Sequence, residues 1–187
     1  LISAFLFEYL ESYHVATHYL KTENNSKMLV RRLEMIPVKV VVRNIADGAF
    51  CKKYKFKEGA VLDYPVIEHY LKTGEKDEPF VNDFHLYALH HATPKEMRTI
   101  ERMASKVNAL LKSFFLRRNV QLVDFVLEFG RFKGKILVGD EISPETCTIW
   151  DGIKSLKYHR DFIHKEARDA EKIYKMLMTL IVGEGKR

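Results

Sequence analysis

Apolar residues at Ile2, Phe5, Leu6, Tyr9, Leu10 and Tyr13 recur every three or four positions, which predicts a helix over residues 2–13. The mixed segment 14–27 follows, with an edge strand around Val15 to Leu20 running into the turn-prone Glu23-Asn24-Asn25-Ser26. His14 and His18, four apart on a segment without helical pattern, are expected at the surface or core margin and not as ligands. Between Met28 and Asn44 the pattern switches to alternation. Val38, Val40 and Val42 take one face, Lys39, Val41 and Arg43 the other, and Pro37 is expected to split the stretch into two strands. A short Lys-rich element at 50–59 leads into a strand over 60–72, with Pro65 in its course, and a loop at 73–79. Phe80 to His91 reads as a short helix. Thr93, Pro94 and Glu96 then stand at the cap, first and third positions of another, forming a capping box. Met97, Ile100, Ala104, Val107, Leu111 and Phe114 predict that this helix is long, amphipathic and ends near Asn119. A last helix, from about Tyr158 to Val182, carries Phe162, Ile163, Ala167, Ile173, Leu177 and Ile181 inward and stops at Gly183. Helix, strands, helices, hairpin and helix in that order make an α+β chain, an antiparallel sheet flanked by long helices.

The hairpin is the stretch on which chemistry concentrates. Two strand-length apolar runs between Leu122 and Asp151 are joined by Gly130-Arg131-Phe132-Lys133-Gly134 and carry acids at Asp124, Glu128, Asp140 and Glu141. Asp124, Val126 and Glu128 share one face, while Val123, Phe125, Leu127 and Phe129 share the other and belong in a core. A tight turn pairing Gly130 with Gly134 sets Asp140 opposite Asp124, and a register four residues away sets it opposite Glu128. Either gathers carboxylates on one surface. Like charges so placed destabilise one another unless a cation compensates, and hard oxygen donors suit magnesium or manganese bridging to phosphate. The alternative is a solvated strand face. Arg43, closing its strand before Asn44, Ala46, Asp47 and Gly48, is placed to bind an anion or to act structurally. Lys72 directly before a Gly-containing loop is placed to meet a phosphate or to be solvated.

Composition narrows the classes. With 47% apolar and 30% charged residues in 187, the chain is globular and long enough to bury a core. No apolar run approaches a membrane span, and a start interrupted by Glu8 and Glu11 does not read as a signal peptide. Cys51 and Cys147, far apart, are expected as free thiols in a reducing, cytoplasmic setting. The net charge of +6 has no dense run behind it, so no nucleic-acid footprint is evident, and it suits an enzyme for anionic metabolites equally well. His90-His91 has no carboxylate or Cys at ligand spacing, so no metal is assigned there.

Particular phrases go further. Leu-Val-Arg-Arg-Leu-Glu-Met-Ile-Pro-Val at 29–38, Val-Val-Arg-Asn at 41–44, Leu-Val-Asp-Phe at 122–125, Leu-Glu-Phe-Gly at 127–130 and Gly-Asp-Glu-Ile-Ser-Pro at 139–144 resemble the SAICAR synthetase family. With Trp150-Asp151 the resemblance covers the chain to Asp151 and is weak beyond it. It implies the larger, ATP-grasp-related lobe of an ATP-dependent ligase of purine biosynthesis, one ATP- and substrate-binding domain over 1–187. The implied reactants are ATP, with Mg2+ or Mn2+, L-aspartate and carboxyaminoimidazole ribonucleotide, joined through an acyl phosphate. Carried over by motif, Glu128 and Asp140 would hold the metal and Lys72 would approach the nucleotide phosphates, these three forming the catalytic set. The backbone at Glu34 and Met35 would form the adenine hinge, and Arg43 and Asp124 would contact the ribonucleotide.

The chain departs from the family pattern at Ala49 in place of Ser, Val126 in place of Lys, Thr148 in place of Arg and Glu78 in place of Asp. The first three fall on the substrate side, where Lys39 or Arg160 is expected to compensate. The family's small N-terminal β lobe, with its Gly-Lys-Ala-Lys loop over the ATP phosphates, precedes the point at which this chain begins, so a longer protein is expected. A second reading, from another class, is an impaired homologue serving as a nucleotide-binding or assembly module. Apolar surface left on the last helix would be a natural contact for a homo-oligomer.

Overall fold

The computed structural model describes residues 1–24, 26–75, 77–151, 156–158 and 170–183. Helix α1 (Ile2–Ser12) opens the chain and a two-stranded ribbon follows, β1 (Tyr19–Thr22) with β2 (Met28–Val30). Strand β3 (Glu34–Ile45), helix α2 (Gly48–Tyr54), strand β4 (Val61–Leu71), the short β5 (Phe80–Val81), and helices α3 (Asp83–Ala88) and α4 (Pro94–Leu116) come next. Strands β6 (Gln121–Phe132), β7 (Lys135–Gly139), β8 (Cys147–Asp151) and β9 (Leu156–Tyr158) precede the last helix, α5 (Ala170–Val182). The main sheet is antiparallel, in the order β5-β4-β3-β6-β8-β9, with β7 also paired to β6.

One face of this sheet makes the core. Val38, Val40 and Val42 of β3 and Phe125, Leu127 and Phe129 of β6 are buried there, as the alternation predicts, but the register shift between Leu122 and Asp124 puts Leu122, and not the also buried Val123, in this core. α4 packs across β3, β6 and β7, and Met97, Ile100, Ala104, Val107, Leu111 and Phe114 are its buried stripe. Its start is the predicted capping box: Thr93 Oγ1 accepts from the Glu96 N–H at 3.3 Å, and the Glu96 carboxylate accepts from the Thr93 N–H at 2.8 Å. A reciprocal amide pair, Asn44 with Asn108, ties β3 to α4 inside the core at 2.8 and 3.0 Å. α5 closes the same side through Ile173, Leu177 and Ile181, and Gly183 follows it at φ +90°.

Several expectations need correction. Pro37 does not divide two strands; the break falls at 31–33 and Pro37 sits within β3. It is accommodated because the β3–β6 ladder shifts register between Met35 and Lys39, where a residue without an N–H costs no ladder bond. The edge strand expected at 15–20 is Tyr19–Thr22, and His18 is buried in the core. The Lys-rich element is helix α2, and Phe80 starts a two-residue strand ahead of α3. β8 and β9 are strands where the sequence suggested none, and Tyr158 ends β9 instead of opening a helix. Phe162, Ile163 and Ala167 lie outside the described residues. Among the described residues no helix is long and apolar enough to cross a membrane.

Candidate active site

The face of the sheet opposite the core carries the polar set. Lys39, Val41 and Arg43 of β3 stand opposite Glu128, Val126 and Asp124 of β6, and on the other side opposite Tyr70, Glu68 and Val66 of β4. Directly opposed residues of antiparallel strands share a face, so three strands present one continuous surface. Its acids and bases are already matched: Arg43 donates through Nε to Glu68 and through Nη1 to Asp124, both at 2.7 Å. Burial pulls the Arg43 pKa down, but the two carboxylates outweigh it and the net shift is upward. Its guanidinium also lies over the Phe50 ring, 5.7 Å from the centroid. Lys72, just past the end of β4, is anchored by its N–H donating to the Pro37 carbonyl at 2.9 Å. Its Nζ donates to Glu128 at 2.6 Å.

The hairpin register differs from both expectations. Lys133 and Gly134, at φ +48° and +74°, form the two-residue turn, so Phe132 pairs with Lys135 and Glu128 with Gly139. One residue further, an extended Asp140 would oppose Leu127 and point its carboxylate into the core. Instead Asp140 turns to φ +56°, the left-handed region that Asp tolerates better than most residues. That turn takes the chain off β6, whose edge β7 covers at one end and β8 at the other. In the gap between them Val126 N–H donates to the Thr146 carbonyl at 2.8 Å.

Two cavities open along this gap. One, about 390 Å³, is lined by Lys39, Lys72, Val126, Glu128, Asp140, Glu141, Glu145 and Thr146. The other, about 440 Å³, takes in Asp47, Glu58, Asp124, Val126, Glu145, Thr148 and Lys157. They share Val126, Glu145 and Thr146, so Val126 stands on the divide. Lys72, Glu128 and Asp140 are therefore brought together, and Asp124 with its partner Arg43 lies next door. Glu34 is not in either cavity; its carboxylate accepts from Arg131 Nη1 at 3.0 Å on the face that α4 covers, where Arg131 also donates to Glu96. Met35 is nearer, its Sδ and Cε 3.4 and 3.3 Å from where a Cβ on Gly139 would stand, next to Asp140. The hard oxygen donors of the first cavity fit a magnesium or manganese ion by type.

The sequence did not single out Glu68, Glu145, Thr146 or Lys157. Glu68 was legible by alternation with Arg43, once β4 and β3 are known to be neighbours. Glu145 is brought in by the loop after Asp140, where its N–H donates to Ser143 Oγ at 3.0 Å and its carboxylate accepts from the Tyr174 hydroxyl of α5 at 2.6 Å. Burial, reinforced by that carboxylate, pushes the Tyr174 pKa up. Lys157 supplies a cation to the second cavity, bonded to Asp47 and Glu58 at 2.6 Å each. Lys39, expected to compensate for Val126, does line the first cavity, though it is paired with Glu78 at 2.8 Å. Arg160 lies outside the described residues.

The sequence matches the family model described as SAICAR synthetase over residues 1–180. It is 46% identical to the phosphoribosylaminoimidazole-succinocarboxamide synthase of Chlorobium limicola across 92% of this chain and 73% of that protein. It is 41% identical to the protein of the same name from Chloroherpeton thalassium across 97% of this chain and 77% of that one. Among solved structures, a SAICAR synthetase in complex with ADP superposes with a TM-score of 0.91 at 35% identity, covering 99% of this chain and 79% of that one. The Ehrlichia chaffeensis phosphoribosylaminoimidazole-succinocarboxamide synthase also gives 0.91, at 30% identity, with 99% and 80% covered.

Proposed function

The chain belongs to the SAICAR synthetase family, and on that premise we propose that it joins L-aspartate to carboxyaminoimidazole ribonucleotide at the expense of ATP, giving SAICAR, ADP and phosphate. The observation that carries it is the convergence of Lys72, Glu128 and Asp140 on one cavity that adjoins a second containing Asp124. The γ-phosphoryl group of ATP passes to the substrate carboxylate, releasing ADP and leaving an acyl phosphate. The aspartate amine then attacks the acyl carbon, loses a proton and expels phosphate as the amide forms. Such chemistry asks the protein for position and charge more than for a covalent nucleophile.

Each residue has a task suited to its place. Glu128 and Asp140 hold the metal ion, which when bound neutralises charge on the transferring phosphoryl group. The Lys72 ammonium, fixed beside Glu128, faces the nucleotide phosphates. The backbone at Glu34 and Met35 carries the adenine, with Met35 packed against Gly139 next to Asp140. Arg43 meets the ribonucleotide's anionic groups and Asp124 a polar one. Two free cysteines are in keeping with a reducing cytoplasm.

The test is ADP formation by the full-length gene product. The ligase requires Mg2+, L-aspartate and the ribonucleotide together. Nucleotide binding without turnover would instead favour a binding or assembly module, a reading to which the apolar Val126 between the two cavities lends its weight.

A further inference from the structure

We propose that His69, Asp83 and Glu101 form a binding site for a divalent metal ion of the zinc class, at the junction of β4, α3 and α4. None of the three lines the two cavities described above, so the site is separate from Glu128 and Asp140 and stands independently of the ligase reading. His69 pairs with Val40 of β3 and Val81 of β5, and Val40 is in the core, so the His69 side chain lies on the face of the sheet that α4 covers. Asp83 is the first residue of α3, and Glu101 lies in the first half of α4. One ring nitrogen of His69 and one carboxylate oxygen from each acid all lie within 4.8 Å of one another.

The protein itself serves the polar atoms of this group poorly. His69 is 7% exposed, with Nδ1 3.1 Å from Asp83 Oδ1 and Nε2 buried without a hydrogen-bond partner. A phenyl ring would fill such a position without stranding a nitrogen, so what the imidazole adds is a ligand. The half-buried Glu101 carboxylate makes no hydrogen bond or ion pair among the described residues, and Asp83 has the Tyr87 hydroxyl at 3.2 Å besides His69. Among the described residues no Lys or Arg side chain pairs with either acid, so two carboxylates stand close together without a fixed cation to compensate them. Ligands held about 2.0–2.2 Å from one ion stand about 2.8–4.4 Å apart, according to whether they are adjacent or opposite. The 3.1 Å between His69 and Asp83 already falls in that range, and a spread within 4.8 Å closes on an ion by a shift of a few tenths of an ångström. An imidazole with two carboxylates suits zinc, cobalt or nickel better than magnesium, which takes oxygen donors. The bound ion clamps β4 to both helices.

The experiment takes the full-length gene product, stripped with a chelator, and adds Zn2+ alone. A Glu128→Gln/Asp140→Asn background keeps the ion from the carboxylate cavity. Affinity and stoichiometry are read by competition with a chromophoric chelator, and stability from the urea midpoint with and without Zn2+. One Zn2+ per chain should bind and raise the midpoint. Glu101→Gln, at a half-buried helix position where a neutral amide fits, should weaken binding at least about tenfold and remove most of the rise in midpoint, and His69→Phe should do the same. If His69→Phe does not fold, Glu101→Gln carries the test, and in the parent enzyme it should lower the Zn2+ bound by one per chain. Co2+ in place of Zn2+ should absorb in the visible without a thiolate charge-transfer band. Absence of saturable binding, binding that survives Glu101→Gln, or a thiolate band that places the ion at Cys51 overturns the site. ADP formation by the parent is a separate measurement, so failure here is distinct from failure of the ligase reading.

Discussion

Lys72→Met is the substitution whose cost the geometry specifies most closely. Lys72 Nζ lies 2.6 Å from Glu128 Oε2, with the Lys side chain 37% exposed and the Glu side chain 7%. At an effective dielectric of about 20, the attraction at that separation is about 6 kcal/mol before desolvation is counted. Desolvating Glu128 consumes most of it, so the pair itself adds little to stability. Removing one partner is different, because the buried carboxylate is left without compensation. That loss runs to about 3–5 kcal/mol for a fully buried pair. Here more than a third of Lys72 is exposed, water takes over part of its work, and the expected loss is about 2 kcal/mol. Urea denaturation at pH 7, without nucleotide or divalent metal, should show a lower midpoint at unchanged slope. Adding Glu128→Gln removes the stranded charge and should recover at least half of the loss, while ligase turnover falls about a hundredfold or more in the single and double variants alike. A Lys72→Met protein within about 0.5 kcal/mol of the parent, or a double variant no more stable than the single, would refute the reasoning.

Three further outcomes follow from single residues. Arg131, helped by the Thr93 cap, holds the Glu96 carboxyl at about 2 against an ordinary 4.5. With the folded value depressed, its contribution is complete above about pH 4.5 and disappears as pH falls toward 2, so Glu96→Gln should flatten acid unfolding across that window and cost about 1–2 kcal/mol at pH 7 after screening. A Cβ on Gly130 would stand 2.6 Å from the Leu33 Cβ and 3.0 Å from the Glu34 carbonyl, so Gly130→Ala must push the start of β3 away from β6. A loss of about 1–3 kcal/mol in urea is expected, with weaker ATP binding on the proposal that Glu34 and Met35 carry the adenine; an unchanged midpoint would contradict the close approach. Burial pushes the Cys147 thiol up to about 12, while Cys51 is half-buried, so a disulfide reagent at pH 8 should titrate Cys51 alone in the native protein and both cysteines after unfolding. Labelling of Cys147 as fast as Cys51 would show its burial to be wrong.

Period and caps made the helices and core strands legible. The capping box at Thr93 placed the start of α4 to the residue, though the helix ends at Leu116 and not near Asn119, and alternation assigned Val38, Val40 and Val42 and the Phe125–Phe129 face correctly. What one chain segment cannot announce is its partner. The hairpin register depended on the turn falling at Lys133-Gly134 and not at Gly130, where the glycine instead admits Leu33, just ahead of β3. β8 was missed because Thr148 and Trp150 look outward while Cys147 and Ile149 bury, too short a run to stand out beside Pro144. Asp140 came to the cavity by a backbone torsion, and nothing in a periodic pattern reports a torsion. Glu68, legible only once β3 and β4 are paired, and Lys157 went unmarked for a related reason: their roles arise from neighbours 25 and 110 residues away.

The balance of charge at the divide gives Val126 a physical meaning. The first cavity holds four carboxylates, Glu128, Asp140, Glu141 and Glu145, against the ammonium groups of Lys39 and Lys72. Both ammonium groups already meet acids, Lys39 at Glu78 and Lys72 at Glu128. The second cavity is no richer in cations, since Lys157 is shared between Asp47 and Glu58 and Arg43 between Glu68 and Asp124. An anionic substrate entering either space meets net negative charge unless a cation arrives with the nucleotide or an existing pair opens. A lysine at 126 would relieve this directly. Val126 instead pairs with Val41 across the strand, an apolar step that brings no charge to the divide. On the proposed assignment of Glu128 and Asp140 to the metal, substrate affinity is thereby tied to metal occupancy.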